Sequence, residues 1–159
     1  MTTTTAPATR PTAVGLDPRG PQLTAGITAV VLVVVLLLPN PWAAVLTGVQ
    51  AVLFAIGATR GVQNTPHAWL FRTVVRPRLA PPDELEDPAP PRFAQAVGLA
   101  FTLVALVGFV VGQSVGGVTL LGQVAIGFAL VAALLNAVFR FCLGCEVYLL
   151  IKRFAPTAG

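Results

Sequence analysis

Four long apolar runs dominate this chain of 159 residues, and short uncharged segments join them in two pairs. A membrane-spanning helix needs about 20 mostly apolar residues, and each run approaches that length. The pattern therefore predicts an all-α integral membrane protein with four transmembrane helices, arranged as two helical hairpins. The predicted spans are residues 22–38, 43–59, 94–112 and 118–138. A signal peptide is the less favoured interpretation of the first run, because a second apolar run follows at once.

Three segments lie outside the predicted spans. Residues 1–20 are rich in Thr, Pro and Ala, have no periodicity and are predicted to form a disordered N-terminal tail. Residues 60–93 form a loop between the two hairpins, and residues 139–154 form a C-terminal helical extension. The four-helix membrane domain is therefore predicted to cover residues 21–154.

The fourth span and its extension are together too long for one membrane crossing. A single straight helix from Val118 to Ile151 would measure about 50 Å, which exceeds the hydrocarbon core of a bilayer. Either this helix continues beyond the bilayer, or it breaks between Asn136 and Gly144 and its end lies along the interface. The sequence leaves both alternatives open.

Basic residues mark one side of the predicted membrane domain. The turns within both hairpins carry no charge, whereas every Arg and Lys lies in the tail, in the loop or at the end of the fourth span. By the positive-inside rule, this distribution predicts that both termini and the loop are cytoplasmic. Arginine outnumbers lysine nine to one, a bias typical of high-GC bacterial genomes, so we predict a bacterial cytoplasmic membrane.

The composition agrees with a membrane location and argues against nucleic-acid binding. Hydrophobic residues make up 55% of the chain and charged residues 10%, whereas soluble domains contain about 25% charged residues. The net charge of +4 comes from residues that flank the spans, and these residues form no basic stripe with interleaved aromatic residues. We therefore predict a lipid bilayer as the environment and no nucleic-acid partner.

The two hairpins resemble each other in sequence. Each opens with Pro-Arg-x-x-Gln, at residues 18–22 and at residues 91–95, an offset of 73. In the second helices, at an offset of 74, Gly48, Ala51, Phe54 and Ala55 match Gly122, Ala125, Phe128 and Ala129. Both hairpins begin on the same side of the membrane, so a duplication would relate them as parallel repeats. Chance similarity between apolar helices is the alternative.

Small residues form two ridges that suit close helix packing. Gly108, Gly112 and Gly116 recur at four-residue spacing at the end of the third span. A second ridge runs along the fourth span: Ala125, Ala129, Ala133 and Ala137. Such ridges let membrane helices approach each other closely. Whether they close the bundle or join two chains into a homo-oligomer stays open.

Cys142 and Cys145 are the only cysteines, and a spacing of three puts both thiols on one face of a helix. Three interpretations stay open: redox or sulfur-transfer chemistry, a metal site, and space-filling residues in a helix contact. The two cysteines and His67 together supply three of the four ligands that zinc needs, so a zinc site would require Glu146 or a residue from a second chain. We predict no metal and no cofactor. The candidate catalytic residues are Cys142, Cys145 and Glu146. The Glu146 carboxylate could take a proton from a thiol.

The backbone around the cysteine pair decides how reactive the thiols are. At the C-terminal end of a continuous helix, the negative end of the helix dipole disfavours a thiolate. If the chain breaks just before Cys142, the pair lies at a new helix N-terminus, which favours the thiolate. Gly144 makes a break possible, whereas the charge of Glu146 acts against a nearby thiolate.

The loop between the hairpins contains two recognisable features. Thr65-Pro66 is a helix-start signal, so His67 to Val75 is predicted to form a short interfacial helix. Residues 81–88 form an acidic linker stiffened by prolines. This linker could dock a soluble partner or could serve only as a solvated connector.

Two sequence blocks are distinctive: PRLAPPDELEDPAPPRFAQAVGL and LLNAVFRFCLGCEVYLL. They resemble a known membrane family, the one catalogued as domain of unknown function 4395, and the resemblance covers Leu16 to Arg153. The Cys-x-x-Cys-x-x-Tyr pattern of that family maps onto Cys142, Cys145 and Tyr148. Members are often encoded near thioredoxin-like or rhodanese-like proteins, so the resemblance implies a membrane location and a thiol or sulfur context, but no activity.

Three functional interpretations follow, and whether the protein is an enzyme stays open. The leading one is a cytosol-facing membrane dithiol that exchanges disulfide or sulfane sulfur with a soluble thioredoxin-like protein or sulfurtransferase. The second is a non-enzymatic scaffold or subunit that docks a soluble partner through its cytoplasmic loop. The third is a small-solute transporter, which is weakened because we identify only Asn136 as a clear polar residue inside a span.

Overall fold

Every regular element is helical in the computed structural model, which describes residues 15–82 and 84–155. The helices are α1 (Arg19–Leu37), α2 (Asn40–Arg60), α3 (Pro66–Leu70), α4 (Ala89–Val111), α5 (Val118–Phe139) and α6 (Leu143–Phe154). Four of them, α1, α2, α4 and α5, are long and apolar enough to cross a membrane. Within the described ranges the only extended pairing is an isolated bridge between Leu16 and Glu86. The predicted all-helical class with four spanning helices is confirmed.

The four long helices form a bundle in which each helix has two close neighbours. Helix α1 packs against α2 and α5, and α4 packs against the same two helices, so α1 and α4 lie at opposite corners. The turns of both hairpins lie at one end of the bundle, which we call the turn end. At the other end α2 and α5 finish and α1 and α4 begin. We call this the cysteine end, because the two cysteines follow α5.

The tightest packing lies toward the turn end. Gly108 of α4 approaches α5 so closely that a Cβ at this position would lie 2.5 Å from the Gly122 nitrogen. Gly112 faces Thr119 in a similar way, whereas a Cβ at Gly116 would meet nothing within 4 Å. The predicted glycine ridge therefore closes the α4–α5 hairpin at two of its three positions. Nine buried side chains form the adjoining core: Leu32, Val35, Ala43, Ala44, Ala105, Phe109, Ala125, Ile126 and Ala129.

A buried polar layer lies near the middle of the bundle. Gly98 of α4 faces Phe54 of α2, and this antiparallel register brings Gln50 level with Thr102 about one turn further on. Gln50 is only 2% exposed, and within the described part of the chain its Oε1 accepts no hydrogen bond. The prediction that Asn136 is the only clear polar residue inside a span is therefore wrong. The number of polar residues inside the spans therefore no longer weakens the transporter interpretation.

Two polar side chains tie the helices together at the cysteine end. Arg92 donates hydrogen bonds to the carbonyls of Ala58 and Thr59, at 2.6 and 2.7 Å. Gln22 donates from Nε2 to the carbonyl of Ala137 at 2.9 Å. Because the last carbonyls of a helix lack partners within that helix, these side chains satisfy acceptors near the ends of α2 and α5. Both donors belong to the Pro-Arg-x-x-Gln segments.

The first part of the loop forms the predicted short helix in an irregular shape. Thr65 Oγ1 accepts a hydrogen bond from the Ala68 amide at 3.2 Å, and Pro66 is the first residue of α3, as the helix-start signal predicts. The chain then continues as a π-helical turn over Phe71–Val75 and a 3-10 turn over Arg76–Arg78. Helix α3 packs against α1, so the loop covers part of the cysteine end.

The predicted disordered tail, residues 1–20, lies mostly outside the described residues. Its last residues are described and contact the loop. The Leu16 amide donates to the Glu86 carbonyl and the Glu86 amide donates to the Leu16 carbonyl, both at 2.9 Å. Phe71 is buried against Gly20 at the start of α1. The chain just before α1 and the acidic linker are therefore held together at the cysteine end.

His67, the single histidine of the chain, lies in α3 outside the four spanning helices. Partial burial lowers the pKa of His67 below its ordinary value of 6.5, because burial disfavours the charged imidazolium. Because the folded-state pKa lies below the unfolded-state pKa, the packing of α3 has its full stability above the unfolded-state pKa. This stability is lost as the pH falls from there through the folded-state pKa. We expect an NMR titration of the His67 ring to give a midpoint below 6.5. A midpoint at or above 6.5 would contradict the burial of this ring.

Candidate thiol–disulfide site

The helix that leads to the cysteines is broken just before them. Helix α5 ends at Phe139, and Arg140 takes a left-handed conformation with φ of 57°. The Arg140 amide donates to the Asn136 carbonyl at 3.1 Å, and Cys142 is extended before α6 starts at Leu143. A non-glycine residue in this conformation costs roughly 1 kcal/mol, which the packing around the break must offset. Of the two alternatives that the sequence left open, the structure has the broken helix.

Cys142 and Cys145 occupy the N-terminal end of α6. Cys142 is the N-cap residue, and its Sγ accepts a hydrogen bond from the Cys145 amide at 3.3 Å. The Glu146 amide donates to the Cys142 carbonyl at 3.0 Å. The two Cα atoms are 5.2 Å apart, and the two sulfurs lie within disulfide-bonding distance. Because the N-terminal end of a helix dipole is positive, this position favours a thiolate when the pair is reduced.

Helix α6 packs against the beginning of α4. A Cβ at Gly144 would lie 2.7 Å from both Cα and Cβ of Ala94, so this approach needs glycine. One turn further, the rings of Phe93 and Tyr148 pair with their centroids 5.7 Å apart. Another side of α6 carries exposed apolar side chains: Leu143, Val147, Leu150, Ile151 and Phe154. An amphipathic helix of this kind suits a membrane interface.

The cysteine pair lines a cavity of about 790 Å³ between α1, α2, α4, α5 and α6. All three predicted catalytic residues, Cys142, Cys145 and Glu146, belong to its lining. Three amide side chains also line it: Gln22, Gln95 and Asn136. Three phenylalanines line it farther from the cysteine end, toward the middle of the helices: Phe54, Phe101 and Phe128. The structure therefore places the thiols beside a space that is polar at the cysteine end and aromatic toward the middle of the helices.

The sequence predicted the cysteines and Glu146 but missed the glutamines of the cavity. Gln22 and Gln95 stood out only as members of the repeated segments. The signal that identifies them is a polar side chain near the start of an otherwise apolar span, since polar residues in spans generally mark functional sites. His67 is not part of the cavity lining. Within the described ranges, His, Cys, Asp and Glu side chains form no group of three that could hold a metal ion.

These features define the class: a multi-pass helical membrane protein with a Cys-x-x-Cys pair at the N-terminal end of an amphipathic helix. The chain belongs to the family described as Domain of unknown function (DUF4395), whose model matches residues 16–153. This match confirms the resemblance carried by the two sequence blocks. No curated protein and no solved structure matches the chain. The function must therefore be argued from the site itself.

Proposed function

We propose that this protein is a membrane dithiol whose Cys142–Cys145 pair exchanges a disulfide or sulfane sulfur with a soluble thioredoxin-like or rhodanese-like protein. The observation that carries the proposal is the position of the two sulfurs, within disulfide-bonding distance at the N-terminal end of α6. Cα atoms at this separation suit a disulfide without large backbone movement. Space-filling residues in a helix contact would need neither the helix break nor a shared cavity.

Cys142 is the attacking thiol and Cys145 the resolving thiol in this proposal. The Cys142 thiolate attacks one sulfur of the partner disulfide, and the other partner sulfur leaves as a thiolate. The Cys145 thiolate then attacks Cys142 Sγ, so the pair ends as a disulfide and the partner as a dithiol. Two electrons pass from the pair to the partner, and the reverse sequence restores the dithiol. Glu146, in the first turn of α6, is the proposed acceptor for a thiol proton.

The same two thiols can accept sulfane sulfur from a persulfide. The Cys142 thiolate attacks the terminal sulfur of the partner persulfide, and the partner leaves as a thiolate. Attack of the Cys145 thiolate on Cys142 Sγ then releases hydrosulfide and leaves the pair as a disulfide. Mass spectrometry of alkylated protein separates the two reactions, because only the second passes through a persulfide on Cys142.

We also propose that the cysteine end faces the cytoplasm of a bacterial cell and that both termini lie on that side. Support comes from the basic residues, because Lys152 and Arg153 lie in the last turn of α6 and Arg140 lies at the helix break. The loop arginines belong to the same end of the bundle. The positive-inside rule favours the cytoplasm for such an end.

The two hairpins are proposed to be parallel repeats within one membrane domain, residues 21–154. Support comes from equivalent contacts between them: Gln22 bonds to Ala137 near the end of α5, and Gln95 lies against Gly57 near the end of α2. Only the second hairpin continues into the cysteine pair, so the chemistry would belong to one repeat. Electron microscopy of the protein in nanodiscs would oppose this relation if α4–α5 did not superimpose on α1–α2.

Replacing Cys145 by serine is expected to trap a soluble partner on Cys142 as a mixed disulfide, because the resolving thiol is absent. The adduct should form with a cytosolic fraction and not with a periplasmic fraction, which also tests the orientation. Cys142→Ser is the matched control, since serine can still cap α6 but cannot attack. Equal adducts from both variants, or none from either, would sink the assignment of roles.

A scaffold role for the loop is the second candidate. The observation in its favour is that Glu84, Glu86 and Asp87 are exposed at the same end of the bundle as the cysteines. A scaffold would lose its partner when Glu84→Gln and Asp87→Asn are combined, and would keep it when both cysteines are replaced by serine. The dithiol proposal requires the reverse: the partner is lost when both cysteines are replaced by serine and is kept when Glu84→Gln and Asp87→Asn are combined.

A further inference from the structure

We propose that the cavity beside the cysteine pair binds a lipid-soluble quinone, which oxidises the reduced pair to the disulfide. This inference rests on the proposed dithiol function: it names the membrane electron acceptor for the pair after the reverse exchange, in which a partner dithiol has reduced the pair. Four properties of the cavity support it: its volume, the chemistry of its walls, its access from the lipid side and its charge.

The volume and walls of the cavity fit a flat ring with an apolar tail. A cavity of about 790 Å³ lies in the range of sites that enclose a small organic ligand. The side chains of Phe54, Phe101 and Phe128 offer aromatic surfaces for a ring. Closer to the cysteines, the Asn136 amide and the second N–H of Gln22, whose Nε2 already donates to the Ala137 carbonyl, can donate hydrogen bonds to ring carbonyl oxygens.

The cavity is accessible from the lipid side of the bundle. Phe128 lines the cavity and is also 62% exposed, so the wall of the cavity reaches the outer surface of α5. Val147 and Leu149 of α6 line the cavity and are exposed in the same way. In a bilayer these surfaces face hydrocarbon or the interface, which a lipid-soluble ligand can cross and a charged solute cannot. The geometry therefore favours a ligand that is dissolved in the membrane.

The charges around the cavity favour a neutral ligand. Arg19 and Arg140 contribute positive charge to its lining, and Glu86, Asp87 and Glu146 contribute negative charge. An anionic lipid headgroup would require an excess of basic residues, which this lining lacks. A quinone is neutral in its oxidised form and accepts hydrogen bonds at two carbonyl oxygens. It therefore matches the charge as well as the shape of the cavity.

The reaction balances without any further oxidant. The Cys142 thiolate adds to the quinone ring, and the electron pair of the new sulfur–carbon bond is then taken by the ring when the Cys145 thiolate attacks Cys142 Sγ. The sulfur–sulfur bond forms as the sulfur–carbon bond breaks. Two electrons pass from the thiols to the ring, and the two thiol protons end on the two ring oxygens. The products are one disulfide and one quinol.

The test uses the full chain, purified in detergent, reduced, freed of reductant under argon and mixed with decylubiquinone. We expect one quinol formed for each cysteine pair oxidised, and none from the protein with both cysteines replaced by serine. Ala132→Phe should slow quinol formation about tenfold or more, because Ala132 lines the cavity and a phenylalanine ring there would fill space that the quinone needs. Val131→Phe is the matched control, since the neighbouring Val131 is 53% exposed and is not part of the lining.

Two additional measurements separate this inference from the proposed function. Oxidation by diamide, a water-soluble reagent, should proceed equally in the wild type and in the Ala132 and Val131 variants, which shows that the pair is intact. Asn136→Leu gives a second cavity variant in case Ala132→Phe does not fold. A pair that reacts with diamide and a soluble partner but not with decylubiquinone overturns the quinone site alone. A pair inert to all three overturns both proposals, and equal slowing by the Ala132 and Val131 variants overturns the cavity assignment.

Discussion

Replacing Gly108 by leucine is expected to destabilise the bundle by about 3 kcal/mol, at the upper end of the usual cost of overpacking. The reason is steric: a Cβ at this position would lie 2.5 Å from the backbone nitrogen of Gly122, and backbone atoms cannot move aside as a flexible side chain can. Helices α4 and α5 would separate, and the core around Phe109 and Ile126 would lose its packing. Circular dichroism of the protein in detergent should record a melting temperature lower by roughly 6 to 12 °C.

Gly116→Leu is the matched control for this change, because Gly116 belongs to the same glycine ridge but has open space around it. Its melting temperature should stay close to that of the wild type, since substitutions away from packed sites usually change stability by about 0.5 kcal/mol or less. The comparison also tests the role of the ridge. If Gly108→Leu left the melting temperature unchanged and instead dissociated an oligomer, the ridge would join two chains and not the α4–α5 hairpin.

The four spanning helices could be predicted from the sequence because the bilayer sets a simple requirement. A chain that crosses about 30 Å of hydrocarbon must satisfy its backbone hydrogen bonds internally, so long apolar runs become helices. How the helices pack was harder to predict. The ridge from Gly108 to Gly116 indicated a close contact but not its partner, because Gly122 lies on a second helix whose register only the folded bundle defines.

The candidate site could be predicted only in part. The spacing of Cys142 and Cys145 identified the candidate residues, because residues three apart share a helix face, but it left the redox, metal and space-filling interpretations open. The break before them was left open, because the residue that takes the left-handed conformation is Arg140 and not glycine. Gly144, which made a break possible in the sequence, serves a different purpose: it lets α6 approach α4. Intrinsic preferences of single residues could not distinguish these two roles.

The cavity could not be predicted from the sequence at all. Its walls come from five helices (α1, α2, α4, α5 and α6) and from the acidic linker, so its shape depends on how these elements pack in the folded bundle. Local sequence patterns carry no information on that packing. Gln50 was overlooked for a related reason, because a single amide hardly changes the apolar character of its run. The burial of Gln50 is a property of the folded bundle, in which helix packing brings Thr102 level with it.

Replacing Gly144 by leucine is expected to slow thiol exchange by about tenfold to a hundredfold while leaving the bundle folded. A Cβ at Gly144 would lie 2.7 Å from the backbone Cα of Ala94, so α6 must move away from α4. The cysteine pair moves with α6, because Cys142 caps this helix and Cys145 lies in its first turn. Displacements of about 1 Å can cost a reaction a factor of about a hundred when the reacting groups depend on fixed geometry. Mixed-disulfide formation by the Cys145→Ser protein, with and without Gly144→Leu, measures the change.

The melting temperature separates this effect from general unfolding. Helix α6 contributes no residue to the buried core cluster, so its displacement should leave the four-helix bundle close to its wild-type stability. Gly127→Leu supplies the control, because Gly127 lies in the preceding helix α5 and a Cβ there would meet nothing within 4 Å. Exchange should be slow with Gly144→Leu and normal with Gly127→Leu, although both proteins melt alike. Unchanged exchange in the Gly144 variant would mean that the contact with α4 does not position the thiols, and the dithiol would then act independently of the bundle and its cavity.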